Sequence, residues 1–148
     1  MGFKNFYERG LWVELVFMAA ALSHGYRVLK PLGEAAPYDI GIELPDGLLR
    51  VQVKSTTFRQ GAGYLCEFTH SRGGKNRRYC SGQLDLCVAY VIPEKVWYII
   101  PAHRITGPRG NAAITLSQFE GCRIPPKYET YREAWHLLTK SREELLRL

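Results

Sequence analysis

Asp39 and, thirteen residues later, Gln52-Val53-Lys54 are the side chains whose types and spacing best suit chemistry on a phosphate. An acid at a strand edge, faced on the next strand by a polar residue and a lysine two apart, can hold a hard metal ion beside a phosphate. Pro37-Tyr38 leads into the acid. Gln52 stands where a carboxylate would bind a cation more strongly, because its amide oxygen carries no net charge.

These residues meet only if the chain folds into a hairpin. Ile40, Ile42 and Leu44 alternate with Gly41 and Glu43, which is a strand pattern. Pro45-Asp46-Gly47 predicts a turn, with proline presetting the bend and glycine accepting positive φ. Leu48 to Thr56 is the partner strand. On it Leu49, Val51 and Val53 go to one face, and Arg50, Gln52, Lys54 and Thr56 to the other. Gln52 and Lys54 then lie one pleat apart on a polar face, with Asp39 beside Gln52. Glu14 is a fourth candidate. Its helical neighbours are Gly10, Leu11, Phe17 and Met18. A lone carboxylate on such a stripe is costly to bury without a partner. A metal ion or Lys54 would supply one; Lys4 or Arg9 is the solvent-side alternative.

Around this hairpin the chain reads as helix, several strands, helix. Asn5 caps a helix running to about Ser23, with Glu8 reaching back, and His24-Gly25 ends it. Tyr26 to Leu29 is a short strand leading into a loop over residues 30 to 38. Tyr64 to Thr69 reads as a third strand of the same sheet. Leu84 to Ile92 and Val96 to Ile100 read as two more, joined at Pro93-Glu94-Lys95. Residues 102 to 128 read as irregular, broken by Gly107-Pro108-Arg109-Gly110 and Pro125-Pro126. A final helix is expected from a capping pattern at Thr130 and Glu133, with Tyr131, Ala134, Trp135 and Leu138 on its apolar face. No repeat or linker divides residues 1–148, so one domain is expected. The class is α/β or α+β, a mixed central sheet flanked by helices.

The 148 residues are enough for a genuine core. The longest apolar run, Leu15 to Leu22, is too short to span a bilayer. The N-terminus lacks the charged and apolar regions of a secretory signal. Gly2 is no myristoylation signal, since Phe6 stands where serine or threonine is needed. The expected location is cytoplasmic, with no membrane partner. Cys66, Cys80, Cys87 and Cys122 form no Cys-x-x-Cys pair, so free structural thiols are expected rather than a zinc or redox motif. The net charge of +6 favours a polyanionic partner.

Taken together, Glu14, the Gly25-Tyr26-x-Val28-x-x-Pro31 stretch, Pro37-Tyr38-Asp39 and Gln52-Val53-Lys54 resemble the PD-(D/E)xK nuclease superfamily, over roughly residues 8 to 101. The glutamine in place of the second motif acid is similar to a small branch that includes a homing endonuclease encoded in a bacterial group I intron. The resemblance implies a restriction-endonuclease-like fold and metal-dependent hydrolysis of DNA phosphodiesters. It implies Asp39 as the main ligand for Mg²⁺ (Mn²⁺ substituting), with the Val53 carbonyl and Glu14 as further ligands. Lys54 would orient or deprotonate water, or stabilise phosphate charge. Gln52 would ligand the ion weakly or hold the water or Lys54 by hydrogen bond. Tyr79 and Asp85 would lie near the site.

Arg72-Gly73-Gly74-Lys75-Asn76-Arg77-Arg78 is the densest basic run, with Arg59 and His70 nearby. It reads as a loop between strands, able to reach phosphates or a groove of double-stranded DNA. His103, Arg104 and Arg109 form a second basic group. Cutting both strands suits two sites related by a two-fold axis, hence a homodimer or homotetramer. Phe3, Phe6, Trp12, Trp135 and the leucines near Leu148 would serve as interface or pack on the subunit's own sheet. Three functions fit the motif: a sequence-specific homing or restriction-like endonuclease, a structure-selective nuclease such as a Holliday junction resolvase, or an inactive DNA-binding module of the same fold.

Overall fold

Asn5 opens the first helix, its side-chain oxygen accepting the Glu8 N–H at 2.8 Å. Glu8 reaches back one residue further than a capping box requires, accepting from the Lys4 N–H at 2.9 Å. Helix α1 (Phe6–Ser23) stops where Gly25 takes φ +87°, a conformation a β-carbon would strain. The computed structural model describes residues 2–72, 74–80, 82–106, 112–119, 121–123 and 126–148.

The strands follow as β1 (Val28–Leu29), β2 (Ile40–Leu44), β3 (Gly47–Thr56), β4 (Arg59–Gln60), β5 (Gly63–Glu67), β6 (Thr69–Arg72), β7 (Lys75–Arg78), β8 (Leu86–Val91), β9 (Val96–Pro101) and β10 (Ala113–Leu116), with a short helix α2 (Arg142–Leu146) near the end. The central sheet has the order β1-β2-β3-β8-β9. Strands β3 and β8 run parallel and the other neighbours antiparallel, so this is the mixed sheet expected. Leu44 pairs with Gly47, leaving Pro45 and Asp46 as the turn. Gly47 is thus the first residue of β3 and has no positive φ, contrary to the role expected of it.

Helix α1 lays Val13, Phe17 and Ala21 on one face of the sheet, against Ile40, Val51, Val53, Val88 and Ile99. The strand alternation expected on β3 holds: Leu49, Val51 and Val53 point into this core. The opposite face is covered by a second, three-stranded sheet, β10-β5-β4. Its Cys66, Ile114 and Leu116, with Phe68 just past β5, pack on Cys87, Ala89, Tyr98 and Ile100 of the first. Two expectations fail here. The strand at Tyr64 belongs to this second sheet, because alternation reports a buried face and not the partner strand. Strand β10 lies inside the stretch read as irregular, its Ile114 and Leu116 pattern too short to stand out between breakers.

The C-terminal segment also differs from its reading. It forms two 3-10 turns, Glu129–Tyr131 and Trp135–Thr139, before α2. The capping box is Ser141 with Glu144. Glu133 instead takes φ 49° and seals the edge of β9. Its carboxylate accepts from the Trp97 N–H and from Trp135 Nε1, each at 2.7 Å, while its own N–H donates to the Trp97 carbonyl at 2.8 Å. An unpaired edge is a template for pairing with another chain, and these bonds close it there. Trp135 is buried beside Phe17 and Trp97, and Trp12 packs between Phe3 and Tyr90, so both belong to the chain's own core.

All four cysteines are free. Burial pushes the Cys66 thiol up to about 12, and Cys87 is raised in the same way, so both stay inert thiols. Among the described residues no helix is long and apolar enough to cross a membrane.

Candidate active site

The site arises because β3 outruns β2. Proline has no N–H for a ladder, and β2 begins only after Pro37-Tyr38-Asp39. The last ladder contact is Asp39 N–H to the Val51 carbonyl at 3.0 Å. Beyond it this edge of β3 has no strand partner among the described residues. The Asp39 carboxylate fills the gap: its Oδ2 accepts from the Val53 N–H at 3.0 Å and from Gln52 Nε2 at 2.6 Å. Oδ1 accepts from no other described residue. In a strand the N–H and C=O of one residue leave on the same side. The Val53 carbonyl is therefore turned toward the space in front of Asp39.

Gln52 is only 4% exposed, so it is a fixed buried polar group rather than a surface amide. Its Nε2 is committed to Asp39, and no buried side-chain polar atom of the described residues lacks a partner. Gln52 therefore orients the acid. Lys54, one pleat on, makes no hydrogen bond or ion pair with another described residue. It is near enough to draw the Asp39 carboxyl down. Burial is the larger influence, and with Glu14 it leaves Asp39 raised above the usual carboxylate range.

Glu14 comes from the flank of α1 beside the buried Val13 and faces the same cleft as Asp39, Gln52, Val53 and Lys54. Its ion-pair partner is Lys30, rather than Lys4, Arg9 or Lys54. A second groove of about 490 Å³ opens from Asp39, Gln52 and Lys54 toward Thr69, His70 and Tyr79. The structure thus brings together Glu14, Asp39, Gln52, Val53 and Lys54. The oxygen-only donor set of two carboxylates and a strand carbonyl fits a hard divalent cation. No cluster of three or more His, Cys, Asp or Glu side chains placed to hold a metal ion occurs among the described residues.

The basic run is a β-ribbon, not a loop: β6 and β7 pair with His70 opposite Arg77 and Arg72 opposite Lys75. Lys75, Arg77 and Arg78 are exposed. His70 packs on Tyr79 at 4.9 Å, which joins the ribbon to the groove. Burial, then the charge of Asp39, raises the Tyr79 hydroxyl, so it remains a protonated donor. Arg59 lies over the Tyr64 ring at the edge of the second sheet. Arg104 is held by the Leu148 carbonyl and borders none of the clefts that meet at Asp39. Arg109 lies outside the described residues. Asp85 is a structural anchor, accepting from the Arg50 N–H at 2.7 Å and its guanidinium at 3.0 and 3.1 Å, with Arg142 at 3.3 Å.

A carboxylate is thus anchored at an unfinished strand edge of a mixed α+β sheet, beside a lysine that pairs with no other described residue. Residues 7–138 match the PD-(D/E)XK endonuclease family profile, and the chain belongs to that family. It is therefore a nuclease, of a family that acts on DNA and generally depends on divalent metal. Among solved structures, the bacterial homing endonuclease I-Ssp6803I is similar, with a TM-score of 0.76, 28% identity, and coverage of 90% of this chain and 93% of that one. Comparison with curated proteins gives no significant match. Both the superfamily and the branch read from the motif are thereby supported. Lys30 was missed in the sequence, since nothing local in Leu29-Lys30-Pro31 points across to α1.

Proposed function

We propose that this chain is a Mg²⁺-dependent endodeoxyribonuclease that hydrolyses phosphodiester bonds in double-stranded DNA at specific sequences, with Mn²⁺ able to substitute. The observation that carries this reading is Asp39, with one oxygen tied to Gln52 and Val53 and the other open beside Lys54. A divalent cation held there would lower the pKa of a water and offset charge on the phosphate. Asp39, the Val53 carbonyl and Glu14 are the groups to hold it. Gln52 keeps Asp39 in one orientation. Lys54 places its ammonium where it can orient the attacking water or take up charge on the phosphate oxygens.

The β6–β7 ribbon is the DNA-contacting element in this reading. A two-stranded ribbon fits the major groove. Lys75, Arg77 and Arg78 would supply contacts beside the groove that leads to Asp39, with Arg59 as an outlying phosphate contact, while the Arg72 side chain lies outside what the structure describes. Arg104 has a weaker claim, because Leu148 already occupies it. A homodimer or homotetramer suits the task, and exposed Tyr7, Leu11, Leu15 and Leu22 along α1 offer an apolar face for it.

Cleavage of linear duplex and of four-way junctions, each with Mg²⁺ and with EDTA, tests the reading. Mg²⁺-dependent cuts at discrete positions in linear duplex are expected. Cutting confined to junctions would favour the structure-selective alternative. Binding without cutting would leave an inactive DNA-binding module.

Gln52→Glu separates orientation from ligation. It replaces the donor at 2.6 Å by a second anion facing Asp39. In EDTA the variant should lose about 1–3 kcal/mol of stability, and Mg²⁺ should raise its Tm by more than that of the wild type. Equal Tm values in EDTA would show that the amide donor does not hold Asp39.

A further inference from the structure

Glu14 is claimed by Lys30. The Lys30 ammonium pairs with Glu14 Oε2, with Lys30 47% and Glu14 21% exposed, so the pair sits at the mouth of the site. Lys30 follows β1 directly, and Pro31 stiffens the chain after it. One cleft is lined by Glu14, Lys30, Tyr38 and Asp39, and Glu14 also lines the inner cleft with Gln52 and Lys54. The two acids are thus matched by two lysines, and Lys30 is close enough to influence the Asp39 carboxyl as well. Glutamine at position 52 adds no charge to shift that balance toward a cation. Whatever divalent ion uses Glu14 must first displace an ammonium.

We propose that Lys30 is a built-in competitor of the divalent cation for Glu14, released when a DNA phosphate draws its ammonium away. This rests on the nuclease reading of the site. Without DNA, Glu14 stays paired and the cation depends on the Asp39 side alone. With DNA, the ammonium has a phosphate to meet at the same mouth, and Glu14 is freed to complete the ligand set. Full cation binding is thereby coupled to substrate, through a positioning residue that need not touch the reacting atoms.

Mn²⁺ binding followed by calorimetry, without DNA, tests the proposal. Lys30→Met should bind Mn²⁺ about five- to tenfold more tightly than wild type, because a competing charge is gone. Adding Glu14→Gln to Lys30→Met should cancel the gain. Lys30→Gln serves as a second variant, and circular dichroism establishes that each is folded. Unchanged Mn²⁺ affinity in both single variants, or a gain that survives loss of Glu14, overturns the competitor role. Mn²⁺ binding that survives Asp39→Asn overturns the nuclease reading of the site instead. No Mn²⁺ binding in wild type or Lys30→Met overturns both.

Discussion

Asp39→Asn should abolish DNA cleavage, by about 10³-fold or more, while raising the Tm of the cation-free protein. The loss of activity follows from removing the charge that would hold the cation. The gain in stability follows from the environment of the carboxylate. Burial, assisted by Glu14, raises Asp39 despite the Val53 N–H and the two lysines that oppose the shift. An acid whose folded pKa lies above its unfolded value binds more protons folded than unfolded across that interval. Stability therefore falls as pH rises through the interval, and the full penalty persists at neutral pH. Asparagine carries no such charge and can still accept from Val53 and Gln52. Thermal melts in EDTA between pH 3 and pH 8 check this. The variant should lack the Asp39 contribution to the fall and melt higher than wild type at pH 7. A lower melting temperature at pH 7 would mean that the charge, not its neutral form, is what the fold accommodates.

Lys54→Ala should lower kcat by about 10²–10⁴-fold with little change in DNA affinity or Tm. Lys54 has no hydrogen-bond or ion-pair partner among the described residues, so its loss leaves no donor or acceptor stranded. In the proposed reading, its position one pleat from Gln52 would serve the reacting phosphate rather than the duplex as a whole. Single-turnover cleavage beside equilibrium DNA binding separates the two effects. An equal loss in binding would make Lys54 a DNA contact and no more.

Most of this site is legible in the sequence because one hairpin carries it. Strict alternation along β3 puts Gln52 and Lys54 on one face, and the proline before Asp39 marks where β2 must begin. What was not legible depends on distant partners. Tyr64 and Cys66 alternate alike in either sheet, and only the tertiary fold assigns β5 to the second one. Glu133 resembles a capping residue until Trp97 and Trp135 present two N–H groups to it. The basic run reads as a loop because its arginines and lysine hide a ribbon that has little apolar alternation. Lys30 was invisible for the same reason: an ion pair sixteen residues apart has no local signature.

The overhang of β3 past β2 also orders the assembly of the molecule. The β2–β3 hairpin closes through a two-residue turn, whereas pairing of β3 with β8 must await the whole excursion through residues 57 to 85. Local closures cost less chain entropy and precede distant ones. Asp39, Gln52, Val53 and Lys54 can thus come together before β3 pairs with β8. In pulse-labelled hydrogen exchange during refolding, amides of β2 and β3 should gain protection before those of β8. Simultaneous protection would show one concerted step. With the staged order, the hairpin that carries Asp39, Gln52 and Lys54 is set before the central sheet is complete.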